Sequence, residues 1–305
     1  MYTFIVNPNA RTGLGLKTWK TLELILKERG ISYQVFFTKY QKHATRITEK
    51  LTEENEHRMI IALGGDGTIN EVINGISDLS RTTLGYIPIG SSNDFARGMG
   101  LSTDPVNALE HILFPTRFAY VNIGVLNYQN KKRRFAVSSG FGFDAGVCHQ
   151  ILISNLKKIL NRIHLGKLSY AGIAIRRILA LTPRQMTLIL DHDRHIIFDK
   201  VYFAAAMNQK VEGGGFRFCP NADPSDDMLD VIVVAGLSKL KILLLLPTAF
   251  KGWHTRFKGV YTYRCKEAEF RSEHPLPVHT DGEPIFLQRY VNLSLEKEHL
   301  RLILS

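Results

Sequence analysis

The chain has 305 residues, of which 45% are hydrophobic, so it can bury a large core, and its length favours two domains. The formal net charge of +11 indicates an anionic partner such as a membrane surface, a polyphosphate or a nucleic acid. The cysteines, Cys148, Cys219 and Cys265, form no C-x-x-C pair, which argues against a disulfide framework or a zinc site and favours a cytoplasmic location. The first residues lack a basic n-region, so no signal peptide is expected, and no uncharged apolar run reaches the roughly 18 residues of a membrane-spanning helix.

In the first third of the chain, strand patterns alternate with helix patterns, which predicts a parallel sheet covered on both faces. The predicted strands are Thr3–Val6, Ser32–Thr38, Arg58–Leu63 and Leu84–Ile87, and the predicted helices are Lys17–Arg29, Lys42–Glu54 and Ile69–Ile76. Ligands of such sheets bind beyond the carboxyl ends of the strands. Three turns are expected to converge there: Asn7–Gly15, Gly64–Thr68 and Gly90–Asp94.

The second of these turns has the composition of an anion site. Gly64, Gly65 and Gly67 let backbone N–H groups face a phosphate, and the helix that starts near Thr68 adds the positive end of its dipole. Asp66 would repel a bare polyphosphate, so it is expected to face a metal ion, its water shell or a hydroxyl. The alternative is an ordinary strand-to-helix turn, in which glycine supplies a positive φ and Asp66 caps a helix.

From about Ala119 the pattern becomes strand-like, which predicts an antiparallel second domain. The predicted strands are Tyr120–Leu126, Phe135–Ser138, Gln185–Leu190, Ile196–Met207 and Leu229–Val234. One helical block, Ile151–Arg184, carries Lys and Arg but no Asp or Glu, so it either lies on an anionic bilayer or forms a solvated helix face. A second apolar run, Leu240–Phe250, is too short to span a membrane, and we expect it to pack in the core, with a lipid-contacting surface as the alternative.

Common nucleotide and hydrolase motifs are absent, because the sequence has no P-loop, G-x-G-x-x-G fingerprint, protein-kinase catalytic loop, serine elbow or H-E-x-x-H. What remains is a set of acids beside glycines or turns, namely Asp66, Asp94, Asp226, Asp281 and Glu283. Phosphoryl transfer to a hydroxyl needs a magnesium-bound polyphosphate and a carboxylate that takes or positions the hydroxyl proton. Asp281-Gly282-Glu283 could supply that carboxylate, although Asp-Gly is also a common hairpin turn.

Five motifs occur in a fixed order along nearly the whole chain. They are Asn7-Pro8, Gly64-Gly65-Asp66-Gly67-Thr68-x-Asn70-Glu71-Val72, Pro88-x-Gly90-Ser91-x-Asn93-Asp94-Phe95-Ala96-Arg97, Gly142-Phe143-Asp144-Ala145 and Asp281-Gly282-Glu283. This arrangement resembles the diacylglycerol kinase catalytic family, and it looks closest to the soluble bacterial lipid kinases. The resemblance implies an α/β plus β fold: an NAD-kinase-like, Rossmann-type α/β domain of residues 1–123, completed by 292–305, and an antiparallel β-sandwich of residues 124–291. The active site would lie in the cleft between them.

The resemblance also implies roles for individual residues. Asp281 becomes the candidate base, with Glu283 as its partner. Asp226 becomes a magnesium ligand, with the Met228 carbonyl and Asp223 beside it, although this run could also be an acidic surface loop. The implied ATP contacts are Asn7, Thr38, Gly64, Gly65, Asp66, Gly67, Thr68, Ile69, Asn70, Ser91, Asn93 and Asp94.

Two residues depart from the family pattern. Ser91 stands where Thr is usual, which keeps the hydroxyl. Asp227 stands where Gly is usual, so the metal loop is expected to be altered if that position needs a positive φ.

The sequence thus predicts an ATP- and Mg²⁺-dependent lipid kinase that converts diacylglycerol to phosphatidic acid. Other hydroxyl lipids (phosphatidylglycerol, a sphingoid base or ceramide), an NAD kinase and a non-catalytic nucleotide- or lipid-binding regulator stay open as alternatives. We expect peripheral contact with an anionic membrane through the Ile151–Arg184 block and no nucleic-acid partner, and a homodimer is left open.

Overall fold

The computed structural model describes residues 1–54, 56–142 and 182–304, and its first domain is built on a six-stranded sheet. The strands are β1 (Tyr2–Val6), β2 (Tyr33–Phe37), β3 (Arg58–Gly64), β4 (Thr82–Pro88), β5 (Phe118–Val121) and β15 (Leu300–Ile303). They lie in the order β2-β1-β3-β4-β15-β5. All neighbours are parallel except β5 and β15, which are antiparallel.

Helices cover both faces of this sheet, as the strand patterns predict. The helices are α1 (Ala10–Glu28), α2 (His43–Thr52), α3 (Asp66–Gly75), α4 (Asp94–Met99) and α5 (Pro105–Leu113). One core cluster joins α1 and α5 to the sheet through residues such as Trp19 and Leu109. The other joins α2 and α3 through residues such as Ala44 and Val72. The central strands are buried on both sides, which explains their continuous apolar runs.

The second domain is an antiparallel β-sandwich. Its strands are β6 (Gly124–Tyr128), β7 (Lys131–Phe135), β8 (Ser138–Gly142), β9 (Arg184–Leu190), β10 (Arg194–Met207), β11 (Leu229–Ala235), β12 (Val260–Cys265), β13 (Ala268–Thr280) and β14 (Glu283–Leu295). They follow the order β12-β11-β10-β8-β13-β14-β6-β7, and β9 pairs with both β10 and β13. The strands enclose one apolar core that includes Phe141, Leu188 and Phe270. The predicted α/β plus β fold is therefore confirmed.

Two predicted strands are wrong in their bounds. The run Tyr120–Leu126 is divided between β5 and β6, which lie in different sheets. The run Phe135–Ser138 is a junction between β7 and β8, because the amides of residues 136–138 donate to the Asp281 carboxylate instead of a neighbouring strand. The Asp281 carboxylate, which is distant in sequence, thus ends the strand here, although the apolar pattern of the sequence continues.

The expected core packing of Leu240–Phe250 is wrong for most of the run. This segment forms α6 (Lys239–Leu245) and a 3-10 turn, Leu246–Lys251, and no residue of α6 is buried. A short helix has one inward face, which here carries Ile242 and Leu245. Leu240 and Leu244 are 67% and 68% exposed.

The Ile151–Arg184 block lies outside the described residues except for its last residues, where Arg184 begins β9 instead of ending a helix. No helix in the described ranges is both long and apolar enough to cross a bilayer.

An arginine of the second domain holds the end of a helix of the first. Arg134, on β7, donates through Nη1 to the carbonyls of Ile73, at 3.1 Å, and Ile76, where positive charge complements the helix dipole of α3. Its Nε donates to Glu296 Oε1 at 2.6 Å, and Lys132 Nζ donates to Glu296 Oε2 at 2.8 Å. Burial alone would raise the pKa of Glu296, but these two hydrogen bonds lower it below its usual value.

Replacing Glu296 with Gln is expected to lower the free energy of unfolding by about 2 kcal/mol at pH 7, because it leaves Arg134 half-buried without its counter-charge. A carboxylate with a lowered folded-state pKa stabilises the protein above its unfolded value of 4.5, and this contribution is lost as the pH falls through the folded value. Urea unfolding at pH 7 and near pH 4 should therefore show a difference that shrinks at the lower pH. The exposed neighbour Glu298 provides the control, Glu298→Gln, and an equal loss at both pH values for E296Q would contradict the charge explanation.

Candidate active site

The ends of β1, β3 and β4 meet in a set of connected loops, as the positions of the three turns predict. Asn7 Nδ2 donates to Thr68 Oγ1 at 3.0 Å, which joins the loop after β1 to α3. The Ile89 amide donates to the Gly64 carbonyl at 2.8 Å, which joins the loops after β3 and β4. Thr38 follows β2 at the same edge, and its amide donates to the Val6 carbonyl at 2.9 Å.

Close contacts restrict side chains at the glycines of the loop between β3 and α3. A Cβ at Gly64 would lie 2.4 Å from Thr68 Oγ1, and one at Gly65 would lie 3.1 Å from the Cα of Gly90. A Cβ at Gly67 would lie 2.9 Å from Glu283 Oε1. None of these three glycines has a positive φ, so that part of the alternative interpretation is wrong.

The first turn of α3 leaves few groups for a ligand. The amides of Thr68 and Ile69 donate to the Gly65 carbonyl, at 2.9 and 3.1 Å. The Ile69 side chain is in the core at 2% exposure, so only its backbone could meet a nucleotide. The amides of Asp66 and Gly67 are among those that a helix start leaves without a partner inside the helix, and the dipole favours an anion there.

Asp66 links the two central loops by capping α4. Its Oδ2 accepts the Asn93 amide at 2.9 Å, and its Oδ1 accepts the Asp94 amide at 2.7 Å. Burial raises the pKa of Asp66, and the hydrogen bonds from these amides offset only part of that rise. The geometry therefore shows Asp66 as a helix cap, as the alternative interpretation of the turn predicts. Contact between Asp66 and a metal ion stays a prediction.

Asp94 connects the first domain to a glycine loop of the second. Its carboxylate accepts the Gly214 amide at 3.0 and 3.1 Å. Gly214 lies in a loop closed by reciprocal backbone hydrogen bonds between Glu212 and Phe216. Burial, followed by the charge of Asp66, raises the pKa of Asp94 to about 6. Sequence reasoning missed this loop, although the run Gly213–Gly215 marks it.

Asp281 reaches across the domain boundary. Its Oδ2 accepts Asn70 Nδ2 at 2.8 Å and the Ala136 amide at 2.9 Å. Its Oδ1 accepts the amides of Val137 and Ser138 at 2.8 and 3.1 Å. A carboxylate has about four lone-pair sites, so these four donors leave it fully hydrogen-bonded. The structure thus brings the predicted residues Asn70 and Asp281 together, 211 positions apart in sequence.

Glu283 lies against the glycine loop, because a Cβ at Gly67 would be 2.9 Å from its Oε1. The turn that carries both acids is held by His279, whose Nδ1 accepts the Gly282 amide at 3.0 Å and which is fully buried. The two predicted catalytic acids therefore lie beside α3 at different positions, Glu283 at Gly67 and Asp281 at Asn70.

A cavity of about 750 Å³ opens beside the loop after β4. Ser91 and Asn93 line it, as do Arg11 and Arg97. Ser91 is exposed, so its hydroxyl is accessible. The two arginines make this cavity suitable for an anion, and sequence reasoning did not select them as ligands. Arg97 was visible as the last residue of the Asn93–Arg97 motif.

The predicted metal loop lies between the Gly214 loop and β11. Asp223 accepts the amide and hydroxyl of Ser225 at 3.0 and 2.7 Å, and the Ser225 hydroxyl lowers its pKa. Asp226 accepts the Met228 amide at 3.0 Å and pairs with Arg264. Arg264 therefore provides the positive charge beside Asp226, and it would compete with a magnesium ion for this carboxylate. The predicted ligation by Asp223, Asp226 and Met228 stays a prediction.

Asp227, which replaces the usual glycine, has a φ of 60°, so this position does need the left-handed conformation. Its side chain compensates for the strain. Asp227 Oδ1 accepts Asn122 Nδ2 at 2.8 Å and lies 2.8 Å from His299 Nε2. The hydrogen bonds from Asn122 and His299 lower the pKa of Asp227.

Two family models match successive parts of the chain. The one described as "Diacylglycerol kinase catalytic domain" matches residues 1–120, and the one described as "YegS C-terminal NAD kinase beta sandwich-like domain" matches residues 141–292. Residues 1–120 therefore belong to the diacylglycerol kinase catalytic family, and the two matches together span both domains. The protein is accordingly a kinase of the lipid kinase class, a phosphotransferase.

Individual proteins show the same similarity. A diacylglycerol kinase of Mycobacterium tuberculosis is 28% identical over 282 residues, which cover 92% of this chain and 88% of the relative. A diacylglycerol kinase of Bacillus subtilis is 25% identical over 252 residues, or 80% and 79% of the two chains.

Solved structures agree with the fold. A diacylglycerol kinase from Bacillus anthracis has a TM-score of 0.72 at 19% identity, covering 100% of this chain and 96% of that one. An NAD kinase from Archaeoglobus fulgidus, solved in complex with ATP, has a TM-score of 0.53 at 12% identity, covering 99% and 93%. At these identities both likenesses concern the fold alone.

Replacing Arg264 with Ala is expected to increase the affinity of the metal loop for Mg²⁺, because it removes the cation that competes for Asp226. Titration calorimetry with MgCl₂ and no nucleotide should show binding that is at least about tenfold tighter in R264A than in the unaltered chain. Arg289, an exposed arginine on β14, offers the control R289A. Equal or weaker magnesium binding in R264A would show that Arg264 is not the competitor.

Proposed function

We propose that this protein is an ATP- and Mg²⁺-dependent lipid kinase that phosphorylates the hydroxyl of a membrane lipid, with diacylglycerol as the substrate and phosphatidic acid as the product. One observation carries the proposal: the Asp281-Gly282-Glu283 turn of the second domain contacts the glycine loop and α3 of the first. Glu283 lies against Gly67, and Asp281 accepts a hydrogen bond from Asn70. Acids that could handle a hydroxyl proton thus adjoin amides that could hold a phosphate.

ATP would bind across the carboxyl ends of β1 to β4. Asn7, Thr38, Asn93 and residues 64–70 would surround the phosphates and ribose, and Ser91 would reach the nucleotide from the wall of the cavity. The amides at the start of α3 support this placement, since they favour an anion. Arg11 and Arg97 in the cavity wall add positive charge on the same side.

In the proposed reaction the lipid hydroxyl oxygen attacks the γ-phosphorus of ATP, the bond to the β-phosphate oxygen breaks, and ADP leaves. The hydroxyl proton passes to a carboxylate of the second domain. Asp281 is the proposed base, but its four donors must first release one oxygen. Glu283 is placed to hold the incoming hydroxyl or to relay the proton, because it adjoins Gly67.

Magnesium would neutralise part of the triphosphate charge when bound with the nucleotide. Asp94, backed by Asp66, would hold it. Both are carboxylates whose pKa is raised by burial and, for Asp94, by the charge of its neighbour. A divalent cation beside Asp94 would relieve that repulsion, which supports this placement.

The roles of the two acids can be separated by paired amide substitutions. Asp281→Asn and Glu283→Gln are each expected to reduce kcat by about a hundredfold or more, because each removes a carboxylate from the proton-transfer step. D281N should also lower the melting temperature, since an amide nitrogen would face backbone donors. ATP binding by calorimetry should persist in both. Turnover of D281N near that of the unaltered chain would end its assignment as the base.

The acceptor can be identified with radiolabelled ATP and a panel of acceptors. Short-chain diacylglycerol, phosphatidylglycerol, sphingosine, ceramide and NAD would be offered separately, with labelled products resolved by thin-layer chromatography. We expect labelled phosphatidic acid from diacylglycerol and at least about tenfold lower transfer to the others. Transfer to NAD alone would replace the proposal with an NAD kinase, and no transfer to any acceptor would favour a binding regulator.

Because the substrate lies in a bilayer, the proposal includes peripheral contact with an anionic membrane. The block first considered for this contact, Ile151–Arg184, lies almost entirely outside the described residues. Its role in docking stays a prediction.

A further inference from the structure

A group of large apolar side chains is exposed on α6 and on the two 3-10 turns that follow, Leu246–Lys251 and Trp253–Arg256. We name this surface the α6 face. Single exposed apolar residues are ordinary, but a succession of them marks a surface that is covered in function. The α6 face comprises Leu240 (67% exposed), Leu244 (68%), Phe250 (51%), Trp253 (49%) and Phe257 (47%).

The opposite side of the same segment is firmly packed. Ile242 and Leu245 contact a core cluster of β10 and β11. The Arg217 amide donates to the Ala249 carbonyl at 2.8 Å, and the buried His254 ring lies 3.1 Å from the Phe218 carbonyl. The leucines on the outer side are therefore held in position by the fold, because the apolar side chains on the inner side of the segment already pack against the core.

The charge around the α6 face selects its partner. Residues 231–266 contain no Asp or Glu. Lys241, Lys251, Arg256 and Lys258 are exposed among the apolar side chains, and Lys251 Nζ lies 4.7 Å from the centre of the Trp253 ring. Apolar residues, an interfacial tryptophan and an excess of basic residues are the features that bind anionic bilayers. A second copy of this face would be repelled, because it carries the same charge.

The α6 face is also continuous with the candidate active site. The Phe250 ring stacks on the Phe216 ring with centroids 4.1 Å apart. Phe216 closes the loop whose Gly214 amide donates to Asp94. A surface bound at Phe250 would therefore lie beside the loop that bridges the two domains at the nucleotide site.

We propose that the α6 face docks this protein on an anionic lipid bilayer, with Leu240, Leu244 and Trp253 entering the interface. The inference rests on the proposed function, since it locates the membrane from which the lipid hydroxyl would be taken. Docking itself needs no phosphotransfer, so the two can be tested separately.

The first test is co-sedimentation with vesicles of equal parts phosphatidylglycerol and phosphatidylcholine, without ATP. The double variant L240S/L244S should bind at least about tenfold more weakly than the unaltered chain. The matched control is L24S/I197S, which removes side chains that are 61% and 67% exposed on other elements and should stay within about twofold. Undiminished binding by L240S/L244S, or an equal loss in the control, would overturn the proposal.

A second test distinguishes a bilayer from other occupants. An environment-sensitive fluorophore is attached at Leu244→Cys in a chain with Cys148→Ser; the remaining cysteines, Cys219 and Cys265, are buried. The label should report water before vesicles are added and an apolar environment afterwards. An apolar signal before addition means that another part of this chain or a second copy covers the face, and it would overturn the proposal.

Phosphotransfer by the unaltered chain to detergent-solubilised diacylglycerol is measured in parallel. Vesicle binding lost in L240S/L244S together with absent transfer would support docking while rejecting the proposed function. Transfer to diacylglycerol, together with vesicle binding that L240S/L244S retains, would support the proposed function while rejecting docking through the α6 face.

Discussion

The structure depends on the carboxylate of Asp281. Its donors come from α3 of the first domain, through Asn70, and from the junction between β7 and β8, through the amides of residues 136–138. The Asp281 side chain thus ends β7, holds the start of β8 and fixes the turn before Glu283. It also sets where the second domain meets the glycine loop. Because a carboxylate with four short donors has little freedom, the two domains are held in a defined relation at the place where chemistry is proposed.

Around this contact, charges are arranged in opposing ways. Asp66 and Asp94 are partly buried acids near each other, and desolvation raises the pKa of both. Arg134 and Glu296 form a compensated pair at the other end of α3. The two acids repel each other at the end of α3 where a nucleotide and its cation would enter. Arg134 and Glu296 attract each other at the opposite end, where the two domains are joined. Carboxylates with perturbed pKa values that cluster at one end of a helix are typical of functional sites.

Periodicity in the sequence was sufficient for the two-sided sheet, the antiparallel second domain and the convergence of three turns, because these follow from which residues can be buried. It was insufficient where the structure depends on a contact between residues distant in sequence. The contact between Asn70 and Asp281 joins residues 211 positions apart, and no local pattern contains it. The glycines of the loop after β3 were recognised, but the reason for them is the approach of Thr68, Gly90 and Glu283, which only the folded chain reveals. The apolar run of α6 has the composition of a core helix, and its exposure is set by the sheet on which it lies.

One strand has a consequence for how the molecule is made. β15 lies between β4 and β5, inside the first sheet, although it is formed by residues 300–303. During synthesis, the sheet that holds the nucleotide loops lacks an inner strand until the whole second domain has been translated. The second domain can therefore collapse while the first still has an open edge beside β4.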